Sequence, residues 1–249
     1  MQQLLSLTRA AVQKYDMIAP DSHVAVGVSG GKDSIALLVL LAQLRRFYPI
    51  PFSLTAITLD PCFEGQETDF SPVASLCDRL EIPYVLRRTR LWEIVFEERR
   101  ESNPCSLCAR MRRGALHRAA VECGCDTVAL GHHKDDVAET FLMNLLCGGT
   151  LGCFSPKSYL DRRGITLIRP MLLIAEQSLA AFVQRKQLPI IPSRCPVDGH
   201  TNRQQMKELT AELSRRYGAI DDKILSALQK ADIDGFGCIA DRWKGAEEA

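Results

Sequence analysis

The stretch HVAVGVSGGKDSIALLVLLAQL, residues 23–44, decides the fold class. Its first six residues form an apolar run typical of a buried strand, and residues 35–44 continue as an apolar helix. Two adjacent glycines in the connecting turn, Gly30 and Gly31, allow the backbone to approach an anion closely. Free amides at the start of the helix would point at that anion, and the helix dipole favours negative charge. The stretch therefore predicts a strand–turn–helix unit that binds phosphate.

Strands and helices alternate along the rest of the chain. We expect further strands at 53–60, 83–87, 127–132 and 164–171. We expect further helices at 2–15, 71–80, 91–100, 105–123, 135–147, 175–187, 202–217 and 220–231. This alternation predicts an α/β fold, a Rossmann-like, mostly parallel sheet with helices on both faces. We expect a catalytic domain over residues 1–217 and a helical C-terminal extension over 218–249.

The composition is that of an ordinary globular protein. Hydrophobic residues make up 46% and charged residues 24%, and the net charge is +1. RNA contacts would therefore need local basic patches rather than a global positive charge. The N-terminus lacks the order of a secretory signal, and the longest apolar run is too short to span a bilayer. These features predict a cytoplasmic protein with no membrane partner.

The turn SGGKDS, residues 29–34, matches the SGGxDS pattern of the PP-loop, which occurs in enzymes that adenylate a substrate and release pyrophosphate. It differs from the GxxxxGK[ST] and GxGxxG loops. Lys32 would add positive charge, and Asp33 would position a metal ion or take a proton. An ordinary strand–helix turn is the alternative interpretation. The residues predicted to bind ATP here are Ser29, Gly30, Gly31, Lys32, Asp33 and Ser34.

Carboxylates follow two of the predicted strands. Ligands of an open parallel sheet lie beyond the carboxyl ends of its strands. Asp60 ends the second strand, so it would either reach ATP or magnesium, or form the turn before a proline. In GHHKDD, residues 131–136, Gly131 would line the ATP crevice. Asp135 and Asp136 would hold Mg²⁺ or cap the next helix, and the two histidines receive no assignment.

Ten cysteines in a chain without export features point to metal or redox chemistry for some of them. Cys105 and Cys108 lie three residues apart on a predicted helix, so both face one way. This pair alone is compatible with half a zinc site, a redox pair or chance. Cys195, in the loop PSRCP, is the best candidate for a third ligand.

Three thiolates suit a 4Fe–4S cluster that leaves one iron without a protein ligand, which is the arrangement that a sulfur donor needs. The alternative is a four-cysteine zinc site completed by Cys123 and Cys125. Their C-x-C spacing lacks the usual two-residue gap, and they lie at the far end of the helix from Cys105. We therefore favour the cluster.

Four motifs in order, SGGKDS, PCSLCARMRRG, GHHKDD and IIPSRCP, resemble those of the TtcA family of tRNA 2-thiocytidine synthetases over residues 20–215. The resemblance implies a PP-loop ATP domain, a 4Fe–4S cluster on Cys105, Cys108 and Cys195, and Mg²⁺-dependent thiolation of an anticodon-loop cytidine. By similarity to a related uridine-thiolating family, Arg112 and Asp136 are the implied catalytic residues beside Lys32.

The implied reaction adenylates the C2 oxygen of the base and replaces it with sulfur. The implied partners are tRNA and a sulfur donor, either a cysteine desulfurase or free sulfide, and the enzyme could form a homodimer. Arg110 and Arg113, on the helix of the cysteine pair, are the predicted RNA contacts. Two alternatives stay open: the same chemistry on another tRNA base or a small molecule, and a non-catalytic iron–sulfur redox sensor.

Overall fold

The structure, a computed structural model, describes residues 1–99, 104–195 and 202–237. In this part of the chain six strands form one sheet in the order β3-β2-β1-β4-β6-β5. All neighbouring strands are parallel except β5 and β6. The strands are β1 Ser22–Gly27, β2 Phe52–Asp60, β3 Tyr84–Arg88, β4 Thr127–Ala129, β5 Lys157–Leu160 and β6 Ile165–Ile168.

The mostly parallel sheet confirms the predicted fold class, with one strand added. The predicted fifth strand is β6, and the antiparallel edge strand β5 precedes it. Analysis of the sequence missed β5 because its four residues KSYL bury little surface on either face. The chain reverses through Asp161–Arg163 and Gly164, whose φ of +61° suits a residue without a Cβ.

The helices lie close to their predicted positions. They are α1 Gln2–Lys14, α2 Lys32–Leu44, α3 Ser71–Arg79, α4 Pro104–Glu122, α5 Lys134–Gly148, α6 Glu176–Arg185, α7 Asn202–Tyr217 and α8 Ile220–Lys230. The helix expected at 91–100 is a π-helical segment over Glu93–Arg99, and residue 100 lies outside the described residues. No helix of the described ranges is long and apolar enough to cross a membrane.

Helices cover both faces of the sheet, as predicted. Alternate residues of β1 point to opposite faces, so that Ala25 packs with Leu116 and Ala120 of α4. Val24 and Val26 belong to the larger core on the other face. That core also holds α2, whose side chains from Ile35 to Ala42 are all buried. The helix of the CxxC pair and the helix of the phosphate loop therefore lie on opposite faces.

The described part of the proposed C-terminal extension packs on the same core. Helix α5 contacts both α7 and α8, and Leu225, Leu228 and Phe236 are buried in the larger core. The Phe236 ring meets Tyr15 edge to face at 6.2 Å between centroids. The division at residue 217 stays a prediction, and residues 238–249 of the extension lie outside the described residues.

Candidate active site

The SGGKDS turn is a preformed loop at the carboxyl end of β1. Gly30 has a φ of +87°, a conformation that favours glycine. The Ser34 hydroxyl donates to the Gly31 carbonyl at 2.9 Å and accepts from the Ser29 amide at 3.1 Å. Gly31 is the N-cap of α2, and the amides that follow it face outward from the helix start. The loop therefore has the geometry that anion binding requires.

The segment that leads to Cys195 crosses this loop. The Ile191 amide donates to the Gly30 carbonyl at 3.0 Å. A Cβ added to Gly30 would lie only 2.7 Å from the Cβ of Ile191, so these two backbones approach closely. A Cβ added to Gly131, which follows β4, would similarly lie 3.2 Å from the carbonyl carbon of Asp33. Because β1 and β4 are neighbours, these contacts bring the predicted ATP residues together at one crevice.

Lys32 is half-buried in a network of ion pairs. Its ammonium lies 2.9 Å from Asp33 and 2.8 Å from Glu176 at the start of α6. Lys207 of α7 holds the same Glu176 at 2.6 Å. Burial opposes the charged form of Lys32, but the bonds to Glu176 and Asp33 outweigh it and raise its pKa. Oδ1 of Asp33 is buried without a hydrogen-bond partner and lies 3.9 Å from Nε2 of His133, so it retains the capacity to accept from a ligand or to coordinate a cation.

The acidic pair of GHHKDD caps helices. Asp136 accepts the His133 amide at 2.9 Å in a capping box, and its other oxygen pairs with Arg203 of α7 at 2.6 Å. Asp135 accepts the Glu176 amide at 2.7 Å. These bonds agree with the capping interpretation. The magnesium and proton-transfer roles of the two carboxylates stay predictions.

Asp60 is fully buried at the end of β2. Its two carboxylate oxygens accept the amides of Cys62, at 3.1 Å, and Thr68, at 2.8 Å. The side chain thus organises the loop after β2, as the turn-forming alternative expects. Contact between Asp60 and ATP stays a prediction.

The three predicted cluster cysteines come within electrostatic reach of each other. Cys105 and Cys108 occupy the first turn of α4, and all three thiols are half-buried and unbridged. Burial raises the pKa of Cys108, the charge of Arg112 lowers it, and negative charge on Cys195 or Cys105 raises it again. The charges of Cys195 and Arg112 therefore both act on Cys108, although Cys195 comes from a distant stretch of the chain.

Within residues 1–99, 104–195 and 202–237, no three His, Cys, Asp or Glu side chains are grouped closely enough to hold one metal ion. A single zinc ion would need such a grouping, whereas each thiolate of a 4Fe–4S cluster ligates a different iron. The assignment of the cluster to Cys105, Cys108 and Cys195 stays a prediction. Cys125 is buried among sheet residues, and burial raises its pKa to about 11. Cys123 directly follows α4, about 27 Å along the helix axis from Cys105, and this separation argues against the four-cysteine alternative.

The predicted RNA contacts Arg110 and Arg113 are both exposed on α4. The sequence analysis did not identify Glu176, Arg203 and Lys207. Glu176 pairs with Lys32 and Lys207, and Arg203 pairs with Asp136. The spacing of the two basic residues, four apart on α7, places them on one helix face. Their carboxylate partners lie 31 and 67 residues away in the chain, so no local pattern identifies the pairs.

Known proteins resemble this chain in both sequence and fold. The model of the PP-loop domain family matches residues 4–217. A tRNA-cytidine(32) 2-sulfurtransferase of Pelobacter propionicus is 41% identical over 221 residues, which cover 88% of this chain and 81% of that protein. The enzyme of the same name from Geobacter sulfurreducens is 37% identical, over 88% of this chain and 85% of its own.

A solved structure agrees with these relatives. The U34-tRNA thiolase NcsA of Methanococcus maripaludis, solved with its [4Fe-4S] cluster, superposes with a TM-score of 0.74 at 25% identity. The match covers 91% of this chain and 77% of that one. Together with the SGGKDS loop, these matches show that the chain belongs to the PP-loop family of tRNA-cytidine 2-sulfurtransferases.

Proposed function

We propose that this protein is an ATP-dependent tRNA thiolase that converts a cytidine of the anticodon loop to 2-thiocytidine. The relatives named above act on cytidine 32, and we assign the same position to this chain. The observation that carries the proposal is that the segment leading to Cys195 bonds to the ATP loop through the Ile191 amide, while the charge of Cys195 acts on Cys108. Sulfur delivery and ATP activation would then share one crevice.

The ATP loop performs the first half of the reaction. Backbone amides at Gly31–Ser34 and the Lys32 ammonium hold the phosphates, and Gly131, packed against the Asp33 backbone, lines the nucleotide site after β4. The C2 oxygen of the base attacks the α-phosphate, so that an oxygen–phosphorus bond forms and pyrophosphate leaves. Oδ1 of Asp33, which accepts no hydrogen bond, supports a magnesium ligand here, with Asp135 and Asp136 as the further carboxylates.

The cysteines perform the second half. Cys105, Cys108 and Cys195 would hold the 4Fe–4S cluster, whose chemistry when bound is to supply sulfide to the activated carbon. Arg112 stabilises the negative charge that develops as AMP leaves, and Asp136 carries the proton. Arg110 and Arg113 would hold the RNA near the cysteines.

The remaining partners follow from this chemistry. Either a cysteine desulfurase or free sulfide replenishes the sulfur, and we place the enzyme in the cytoplasm with its tRNA substrate. We also propose a homodimer. Leu146 and Leu151, near the end of α5, are 59% and 70% exposed, which suits a surface that a second copy covers.

Anaerobic reconstitution of Cys195→Ala tests the proposal, with Cys147→Ala as the matched control because Cys147 is exposed and outside the site. We expect the Cys195 variant to lose its iron and sulfide and to form no thiolated nucleoside by mass spectrometry. The control should keep both. A normal iron content in the Cys195 variant would refute the ligand assignment.

The same preparation separates the alternative functions. Release of pyrophosphate from ATP should be stimulated by bulk tRNA. Stimulation by a metabolite alone would favour sulfuration of a small molecule, and a complete lack of turnover would favour the redox sensor.

A further inference from the structure

Arg169 is a buried cation without a carboxylate partner in the described part of the chain. It is 8% exposed, and burial lowers its pKa to about 10. Its Nε donates to Nδ1 of His132 at 3.2 Å, and its Nη1 donates to the Ser155 carbonyl. No hydrogen bond or ion pair within the described residues engages Nη2. Burying an uncompensated charge is costly, so such a residue points to an anionic ligand.

The position of Arg169 places it in the active-site edge of the sheet. It follows the carboxyl end of β6, and His132 follows the carboxyl end of the neighbouring β4. The guanidinium lies 4.8 Å from the centre of the Phe154 ring, and the His132 ring stacks on the same phenyl group at 4.7 Å. The side chain is therefore held in one orientation beside the crevice.

Two exposed arginines, Arg113 and Arg163, lead from this region toward the amino end of β6, which Arg163 precedes. The charge of Arg113 on α4 lowers the pKa of Arg169, and both Arg113 and Arg163 lower the pKa of His117 after the larger effect of its burial. Neither exposed arginine forms an ion pair within the part of the chain that is described. Like charges without counter-ions repel each other, which a polyanion would relieve.

We propose that Arg169 binds a backbone phosphate of the tRNA next to the target nucleotide, at the inner end of a track that begins at Arg163 and Arg113. The inference rests on the proposed function. ATP is the other source of phosphate, but the Lys32 loop follows β1, two strands from β6. This separation is about 10 Å, and the loop has its own amides for the nucleotide. Aromatic and arginine surfaces side by side are also typical of RNA sites.

The test compares Arg169→Gln and Arg163→Gln with Arg9→Gln, a matched control on α1, where Arg9 is exposed. Binding of tRNA is measured over a range of KCl concentrations, ATP affinity by calorimetry, and folding by thermal denaturation. We expect Arg169→Gln to weaken tRNA binding about tenfold or more. The slope of log K against log salt should become shallower by about one for each of the first two variants. The control and the ATP affinity should not change.

Each other result overturns the inference. Weaker ATP binding with normal tRNA binding would assign Arg169 to the nucleotide. Unchanged binding of both ligands with a lower melting temperature would make it a structural residue. If Arg169→Gln does not fold, an unchanged salt slope for the exposed variant Arg163→Gln would contradict the proposed series of phosphate-binding arginines, and with it the inference. If the wild-type protein binds no tRNA, the proposed function itself fails, together with this inference.

Discussion

Burial changes the protonation of single side chains around the crevice. Burial and then the charge of Arg169 lower the pKa of His132 to about 4, so this ring is neutral at physiological pH. Glu139 lies one turn after Asp136 on α5 and is 5% exposed. Burial and then the Asp136 charge raise its pKa to about 7. Between pH 4.5 and about pH 7, the folded protein therefore retains a proton on Glu139 that an unfolded chain would release.

This difference predicts how stability depends on pH. Because the pKa of Glu139 is raised in the folded state, its contribution is lost as pH rises from the ordinary value of 4.5 to about 7. At pH 8 we expect Glu139→Gln to increase the free energy of unfolding by about 1–3 kcal/mol. Urea denaturation at pH 5 and pH 8 measures the change. Glu212→Gln, at an exposed position, should show no such gain. If the free energy of unfolding changes equally between pH 5 and pH 8 in the wild type and in Glu139→Gln, the assignment is contradicted.

At the scale of elements, two ion pairs connect α7 to the helices beside the ATP loop. Arg203 and Lys207 lie one turn apart and reach Asp136 on α5 and Glu176 on α6. Because Glu176 also holds Lys32, the network joins the ATP loop to three helices. The Arg203 side chain is partly exposed, which weakens its ion pair with Asp136, but the Asp136 side chain is only 12% exposed.

Removal of the Arg203 charge should therefore cost stability. We expect Arg203→Gln to lower the free energy of unfolding by about 1–2 kcal/mol, since it leaves the buried Asp136 carboxylate with only the His133 ring, 3.4 Å away, beside it. Arg215→Gln, at the exposed far end of the same helix, should change it by less than about 0.5 kcal/mol. Chemical denaturation compares the two variants. Equal effects would mean that the pair with Asp136 contributes no more than an ordinary surface charge.

At the scale of the whole molecule, one core joins the sheet to the C-terminal helices. Phe236 is fully buried and contacts Tyr15 at the other end of the described chain. Side chains of α8 enter the same cluster as those of α1 and α2. This packing suggests that the region after residue 217 unfolds together with the rest.

Truncation of Phe236 tests that cooperativity. We expect Phe236→Ala to lower the free energy of unfolding by about 3–5 kcal/mol and to leave a single thermal transition. Tyr217→Ala is the control, because Tyr217 is 53% exposed. Calorimetry distinguishes the outcomes: a separate early transition in the Phe236 variant would instead support a C-terminal unit that folds on its own.

The sequence by itself determined the local elements and the ATP loop. Apolar runs and helical spacing depend on neighbours a few residues apart, so the helices and five of the strands could be predicted from them. SGGKDS combines a positive φ at Gly30 with a helix start, and both are local properties. The short edge strand β5 has no such pattern, since it buries little surface and its pairing with β6 defines it.

Only the tertiary structure decided which side chains meet. The sequence left Asp60 between a ligand contact and a turn, and Asp135 between magnesium binding and capping. The amides of Thr68 and Glu176 that they accept lie 8 and 41 residues away. The approach of Cys195 to Cys108 and the buried charge of Arg169 likewise depend on contacts across the fold. Burial and long-range pairing are properties of the packed molecule, because residues far apart in sequence become neighbours only when the sheet forms.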